Sequence, residues 1–310
     1  MATALFTDGN DCGLGYRNIR DAEDGILQSS RWRCEYLWRF YEPYADRDFK
    51  SELRTEFDAR YWEMYLTTTL ILAEYEVTCP KPAGPDVGIR YKGKRIWFEA
   101  TSPNRGTPGK PDYIEDTGGD GVPEEKIILR YLNSISNKYN EQYANWLKKG
   151  VVSADDAFVI AINPWSIPFD QVDGSPPRIL QAAYTAGPPY TVEVDPKTMK
   201  MVRASYPLRD AIKKGKNALG EDIEVTTGVF QSKDYAGLSG LLCCRVDAVN
   251  NYGELGGNFQ LAPNPYAIAL LPEDFRLIGT YYGVKETGSG HQITPTQWPR
   301  CILGRQTIEP

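Results

Sequence analysis

Two acids and two arginines within one short segment carry most of the chemistry legible in this chain. The segment reads Pro85-Asp86-Val87-Gly88-Ile89-Arg90-Tyr91-Lys92-Gly93-Lys94-Arg95-Ile96-Trp97-Phe98-Glu99-Ala100-Thr101. Apolar and polar residues alternate on either side of Lys92-Gly93, which predicts a hairpin closed by a two-residue turn. In that register Asp86 faces Glu99, Gly88 faces Trp97 and Arg90 faces Arg95. Val87, Ile89, Tyr91, Ile96, Phe98 and Ala100 then share an apolar face directed at a core. The opposite face carries Asp86, Arg90, Arg95, Glu99 and Thr101, with Trp97 lying over Gly88. Like charges directly opposed on paired strands destabilise a sheet, by a few tenths to ~1 kcal/mol per pair. A cation between the acids and a phosphate near the arginines would account for both pairs. Oxygen ligands with water completing the shell suit Mg²⁺, or Mn²⁺, better than zinc. The plainer alternative is a solvated polar face whose charges fan into water.

Composition narrows the remaining chemistry. The chain has 310 residues, 41% of them hydrophobic and 25% charged, enough for a sizeable core without disulfides. Forty-one acidic against 35 basic residues give a net charge of −6, so bulk charge does not coat nucleic acid and any polyanion site is local. The single histidine, His291, lies in a loop-like stretch from Glu286 and excludes histidine-built metal cages. The cysteines (Cys12, Cys34, Cys79, Cys243, Cys244 and Cys301) include no CxxC pair, and Cys243-Cys244 sit in an apolar run that reads as buried strand. Reduced thiols and the lack of a basic-then-apolar leader predict a cytoplasmic protein without a membrane partner.

The elements that must position these residues follow from periodicity. Residues 1–16 read as a loose tail, and Tyr16 to about Arg54 as an aromatic-rich helical preface. Thr55-Glu56-Phe57-Asp58 resembles a capping box opening a helix to about Tyr75, with Phe57, Tyr61, Tyr65 and Leu72 near one stripe. A short strand over Glu76–Cys79 and the hairpin come next, then a Gly- and Pro-rich loop over Pro103–Val122. A long helix runs from Pro123 to about Lys149, with Ile128, Tyr131, Ile135, Tyr139, Tyr143 and Trp146 on one face. Ala157–Asn163 is a continuous apolar strand of the buried kind. Beyond it, Tyr190–Val194, Leu238–Asp247 and Tyr266–Leu271 read as strands, and 207–216 as a short basic helix.

Pro85-Asp86 followed by Glu99-Ala100-Thr101, behind a helix bearing Glu63 and in helix–strand–strand–strand–helix–strand order, resembles the PD-(D/E)xK nuclease superfamily. Tyr61–Leu66 and Phe98–Thr101 look more narrowly like a bacterial branch of it. The resemblance covers residues 57–163. It implies an α/β (α+β) protein with a restriction-endonuclease-like αβββαβ core and a mixed central sheet. Three regions follow: a tail and helical extension over 1–54, a nuclease-like core over 55–165, and an α+β elaboration over 166–310 packed on the core. It also implies metal-dependent hydrolysis of nucleic-acid phosphodiesters, DNA ahead of RNA. Asp86 and Glu99 are then metal ligands, and Glu63 is an outer acid of the same site. The lysine expected two residues after the second acid is Thr101 here. Some members carry that cation on the following helix, where Lys138 aligns with Tyr131, Ser134, Ile135 and Gln142 and borders the apolar face.

Local charge agrees with a polyanionic partner. Arg90, Lys92, Lys94, Arg95, Arg105 and Lys110 cluster against Glu99 alone, and Arg203, Arg209, Lys213, Lys214 and Lys216 form a second patch. Phosphate contacts of this kind confer affinity without sequence reading. A binding or regulatory module that lost turnover with its lysine is the alternative within the fold. A glycoside hydrolase using Asp86 and Glu99 is a more distant one. Homodimeric assembly stays open.

Overall fold

In the computed structural model the described residues are 3–9, 11–80, 83–115, 121–187, 191–205, 207–216, 221–250, 253–287 and 290–299. Tyr190, Cys301 and part of the 103–122 loop lie outside them, as does the Arg203 side chain. Four helices come first: α1 (Leu14–Arg20), α2 (Gly25–Tyr41), α3 (Phe49–Thr55) and α4 (Phe57–Leu72). Then follow β1 (Val77–Thr78), β2 (Val87–Tyr91), β3 (Lys94–Thr101), α5 (Glu124–Asn137), a π-helical stretch (Lys138–Tyr143), α6 (Ala144–Lys149) and β4 (Ala157–Ile162). The remainder holds α7 (Arg178–Tyr184), β5 (Thr191–Val194), β6 (Met201–Ser205), β7 (Ala211–Lys216) and β8 (Asp222–Thr226). It closes with β9 (Gly240–Cys243), β10 (Gln260–Pro263), β11 (Gly279–Thr287) and β12 (Gly290–Trp298).

A mixed eight-stranded sheet, ordered β1-β2-β3-β4-β9-β10-β11-β12, makes this a mixed α/β fold. β3, β4 and β9 run parallel at its centre, while β1–β2–β3 is antiparallel. Because β4 pairs with β9, the sheet passes from residues 55–165 into residues 166–310 without interruption.

Each face of the sheet has its own core. Val87, Ile89, Ile96, Phe98 and Ala100 pack with Tyr61, Trp62 and Tyr65 of α4. Trp97, Phe158, Ile160 and Ile162 pack on the other side with Ile128, Tyr131 and Ile135 of α5. The hairpin face that reads as polar is therefore a second core, and the alternative of charges fanning into water does not describe Glu99. The indole of fully buried Trp62 donates to the Ala161 carbonyl at 2.9 Å, tying α4 to the sheet. Burying a side chain of this size stabilises by roughly 1.5–3 kcal/mol or more.

Several local expectations are corrected. The first residues are not a loose tail: Leu5 is fully buried, and the Leu5 N–H donates to Glu35 Oε1 and Oε2. No capping box forms, because Thr55 ends α3 and its hydroxyl donates back to Glu52, leaving Glu56 as the N-cap of α4. α4 has no single stripe; every residue from Tyr61 to Leu70 is buried, between the sheet and the helices before it. The 207–216 segment contains strand β7 rather than a helix, paired with β8 through a bulge between Lys213 and Gly215. Tyr266–Leu271 forms no strand, and Ile268 and Leu270 point outward. The strand within Leu238–Asp247 is confined to β9. His291 lies in β12 opposite Glu286 rather than in a loop, with Nε2 2.6 Å from the Tyr266 hydroxyl.

Candidate active site

The β2–β3 hairpin sets the geometry. Its pairs are Val87↔Phe98, Gly88↔Trp97, Ile89↔Ile96, Arg90↔Arg95 and Tyr91↔Lys94. Lys92 (φ 48°) and Gly93 (φ 81°) are both left-handed, as a type I′ turn requires. A Cβ on Gly88 would stand 2.4 Å from Trp97 Cε3, so the indole lies directly over that glycine.

At the open end of the hairpin, Asp86 meets Glu99. The Asp86 N–H donates to Glu99 Oε2 at 3.3 Å, and the Ala100 N–H donates to Asp86 Oδ2 at 2.7 Å. Asp86 Oδ1 has no hydrogen-bond partner among the described residues. Glu99 is buried, and strand alternation puts it and half-buried Thr101 on the face covered by α5. Lys138 opens the π-helical stretch and reaches this face, its Nζ 2.7 Å from Glu99 Oε1. A π turn shifts the register of the residues that follow, and such turns recur at functional sites. Here Tyr139 and Tyr143 stack on each other, Tyr143 stacks on Phe158, and the Gly237 N–H donates to the Tyr139 hydroxyl. That packing holds the stretch against β4 with Lys138 turned to the acids. Gln142, one turn on, carries a buried Oε1 without a partner among the described residues.

Glu63 approaches from α4. It is buried, with Oε1 accepting from the Tyr41 hydroxyl at 2.5 Å and Oε2 accepting from Arg60 Nη1 at 2.6 Å. Arg60 also pairs with Glu52. Arg60 precedes Glu63 by three residues, a spacing that signals a helix pair. Tyr41 arrives from α2 and has no such signal in the sequence.

The electrostatics show that these groups act on one another. Burial, then the charges of Glu99 and Glu63, push Asp86 well above the usual carboxylate range, with Lys138 opposing. Burial also raises Glu99, against the pull of the Lys138 ammonium. Burial lowers Lys138, but Glu99 and Asp86 outweigh it and leave the ammonium above its ordinary value. Two of the acids thus hold protons too tightly for an isolated pair, a condition a further cation relieves. No group of three or more acids, histidines or cysteines gathered for a metal occurs among the described residues. The donor set that fits is narrower: Asp86 and Glu99, both oxygen ligands. Mg²⁺ is characteristically held by one or two carboxylates with water completing the octahedron.

The basic residues lie apart from the acids. Arg90, Lys92, Lys94 and Arg95 flank the turn, about 13 Å along the strand from Glu99 at ~3.3 Å per residue. Lys92 pairs with Asp274, Lys94 Nζ donates to the Leu270 carbonyl at 2.5 Å, and Arg95 lies over Trp97 at 5.1 Å. Arg90 is exposed, and Arg105 sits half-buried in the loop after β3. In the second patch Lys213 pairs with Asp222 and Arg209 donates to Gln181. No helix is long and apolar enough to cross a membrane. Compared with protein families, curated proteins and solved structures, the chain matches none of them.

Proposed function

We propose that the chain is a divalent-metal-dependent phosphodiesterase acting on nucleic acid, DNA ahead of RNA, built on a restriction-endonuclease-like αβββαβ core. The observation that carries this reading is the Lys138–Glu99–Asp86 cluster. Two opposed acids and one cation meet at the end of a hairpin, with the cation supplied by the next helix in place of a lysine at Thr101. Asp86 and Glu99 would hold Mg²⁺ or Mn²⁺. When bound, the ion supplies Lewis-acid neutralisation of charge on a phosphoryl oxygen. Lys138 keeps its proton at neutral pH and places a fixed positive charge beside Glu99, where negative charge builds up during phosphoryl transfer. Thr101, on the same face, offers a hydroxyl but no charge.

The test is cleavage of plasmid, single-stranded DNA and RNA with Mg²⁺, Mn²⁺ or EDTA. Metal-dependent cleavage is expected, abolished by Asp86→Asn and by Glu99→Gln. Lys138→Met, which keeps the stem and removes the charge, is expected to cut turnover about 100- to 1000-fold, the scale of losing one preorganised charge donor, while metal binding persists. Binding of nucleic acid without cleavage in any metal would replace this reading with that of a binding module. Cleavage by Lys138→Met at the unaltered rate would remove the lysine from the mechanism.

A further inference from the structure

Tyr41 ends α2, and its fully buried ring packs against Trp38 and Phe49, with centroids 6.1 and 4.8 Å away. The hydroxyl is the only part of this side chain that meets a charge, through its bond to Glu63 Oε1. Burial and the Glu63 carboxylate push the phenol well above its usual range, so it remains a donor throughout neutral pH. Arg60 holds the other oxygen, and each oxygen retains a second lone pair. Glu63 in turn acts on Asp86, Glu99 and Lys138, raising all three. A long flexible acid is thus pinned at both oxygens from the helical layer while its charge bears on the hairpin.

We propose that Tyr41 is a positioning residue for this site, fixing with Arg60 the orientation of Glu63 toward the Asp86–Glu99 pair. The first helices then form a working wall of the site rather than an appendage. This inference rests on the reading of the cluster as a divalent-cation site. Partners behind a ligand set typically cost 10- to 100-fold in metal affinity when removed.

The experiment is Mn²⁺ titration by calorimetry, with DNA cleavage followed against Mn²⁺ concentration, for the full chain and Tyr41→Phe. The variant is expected to bind Mn²⁺ about 10- to 100-fold more weakly and to need proportionally more for half-maximal cleavage, with the rate restored at saturation. A merely structural role would lower the thermal midpoint without rescue by Mn²⁺. Superimposable curves, or a loss that saturating Mn²⁺ does not restore, overturn the proposal. If Tyr41→Phe does not fold, Glu63→Gln carries the test: the same shift supports the proposal, and an unchanged isotherm overturns it. Mn²⁺ binding by the full chain that Asp86→Asn abolishes but Tyr41→Phe leaves intact overturns this inference alone. No Mn²⁺ binding by the full chain overturns the cation-site reading and this inference with it.

Discussion

Asp86 and Glu99 are ionised at neutral pH only against the resistance of burial and of each other, and that resistance has a measurable sign. A carboxyl group whose value is raised in the folded state binds its proton more tightly there than in the unfolded chain. Its contribution to stability is complete below the unfolded value, near ~4, and is lost as pH rises through the raised value. Lys138 does not interfere, because its contribution is present throughout this window and fades only above its own raised value. The carboxylates held low by exposed partners, such as Asp21 and Asp274, act below ~4 instead. In EDTA the thermal midpoint of Asp86→Asn should therefore exceed that of the unaltered protein at pH 7, by about 2 °C or more, the scale of ~1 kcal/mol in a large domain. The gap should close near pH 4, and Mg²⁺ should narrow it by stabilising only the unaltered protein. A gap independent of pH would mean that Asp86 titrates as an ordinary surface acid.

The hairpin and the helix that covers it divide what is legible in sequence from what is not. Gly88 permits Trp97 to lie flat on β2, and a methyl group there has no room. Gly88→Ala should lower stability by about 1–3 kcal/mol through overpacking, read as a shift in the urea midpoint. It should also slow cleavage, since Trp97 stands two residues from Glu99 and its indole is tied to Asp156 Oδ2 at 3.0 Å. Stability equal to that of the unaltered protein would show that the indole is free to move. The hairpin was readable because its causes are local: alternation and a turn pair. The helical line from Tyr131 through Ile135 to Lys138 was readable for the same reason. The π-helical stretch was not, because it answers to Phe158 and Gly237 on other elements. Nor was the Tyr41–Glu63 bond, which joins two helices whose spacing encodes no contact. The strand β7 read as a helix because three lysines within six residues mask its alternation, and a bulge breaks the period. The missing capping box has a similar origin, since α3 and α4 abut and Thr55 belongs to the first.

At the scale of the whole molecule, the two halves of the chain depend on each other through the sheet and through one buried ionic network. β9 covers the outer edge of β4, pairing Ile160 with Leu241 and Ala161 with Leu242, all fully buried. Asp170, also fully buried, accepts from Tyr131 of α5 at 2.8 Å, from Arg178 at 2.5 Å and from Arg245 at 3.2 Å. Arg178 further pairs with Glu124, in the first turn of α5, at 2.8 Å. Removing partners from such a network leaves buried polar groups unsatisfied, at a cost of several kcal/mol. A chain ending at residue 165 would expose the apolar edge of β4, strip Tyr131 of its acceptor and remove the cover from Trp97 and Ile160 beyond α5. The helix that presents Lys138 would lose its anchors at Glu124 and Tyr131 together. We therefore expect the 1–165 fragment to show no cooperative thermal transition. The full chain should unfold in one step, with far-ultraviolet circular dichroism and tryptophan fluorescence coinciding. A fragment that melts cooperatively and still binds Mn²⁺ would mean that the site is assembled by the first half alone. On the contacts described, it is the continuous sheet that holds the acids, the lysine and their supports in one frame, so the second half contributes to the site without supplying a residue to it.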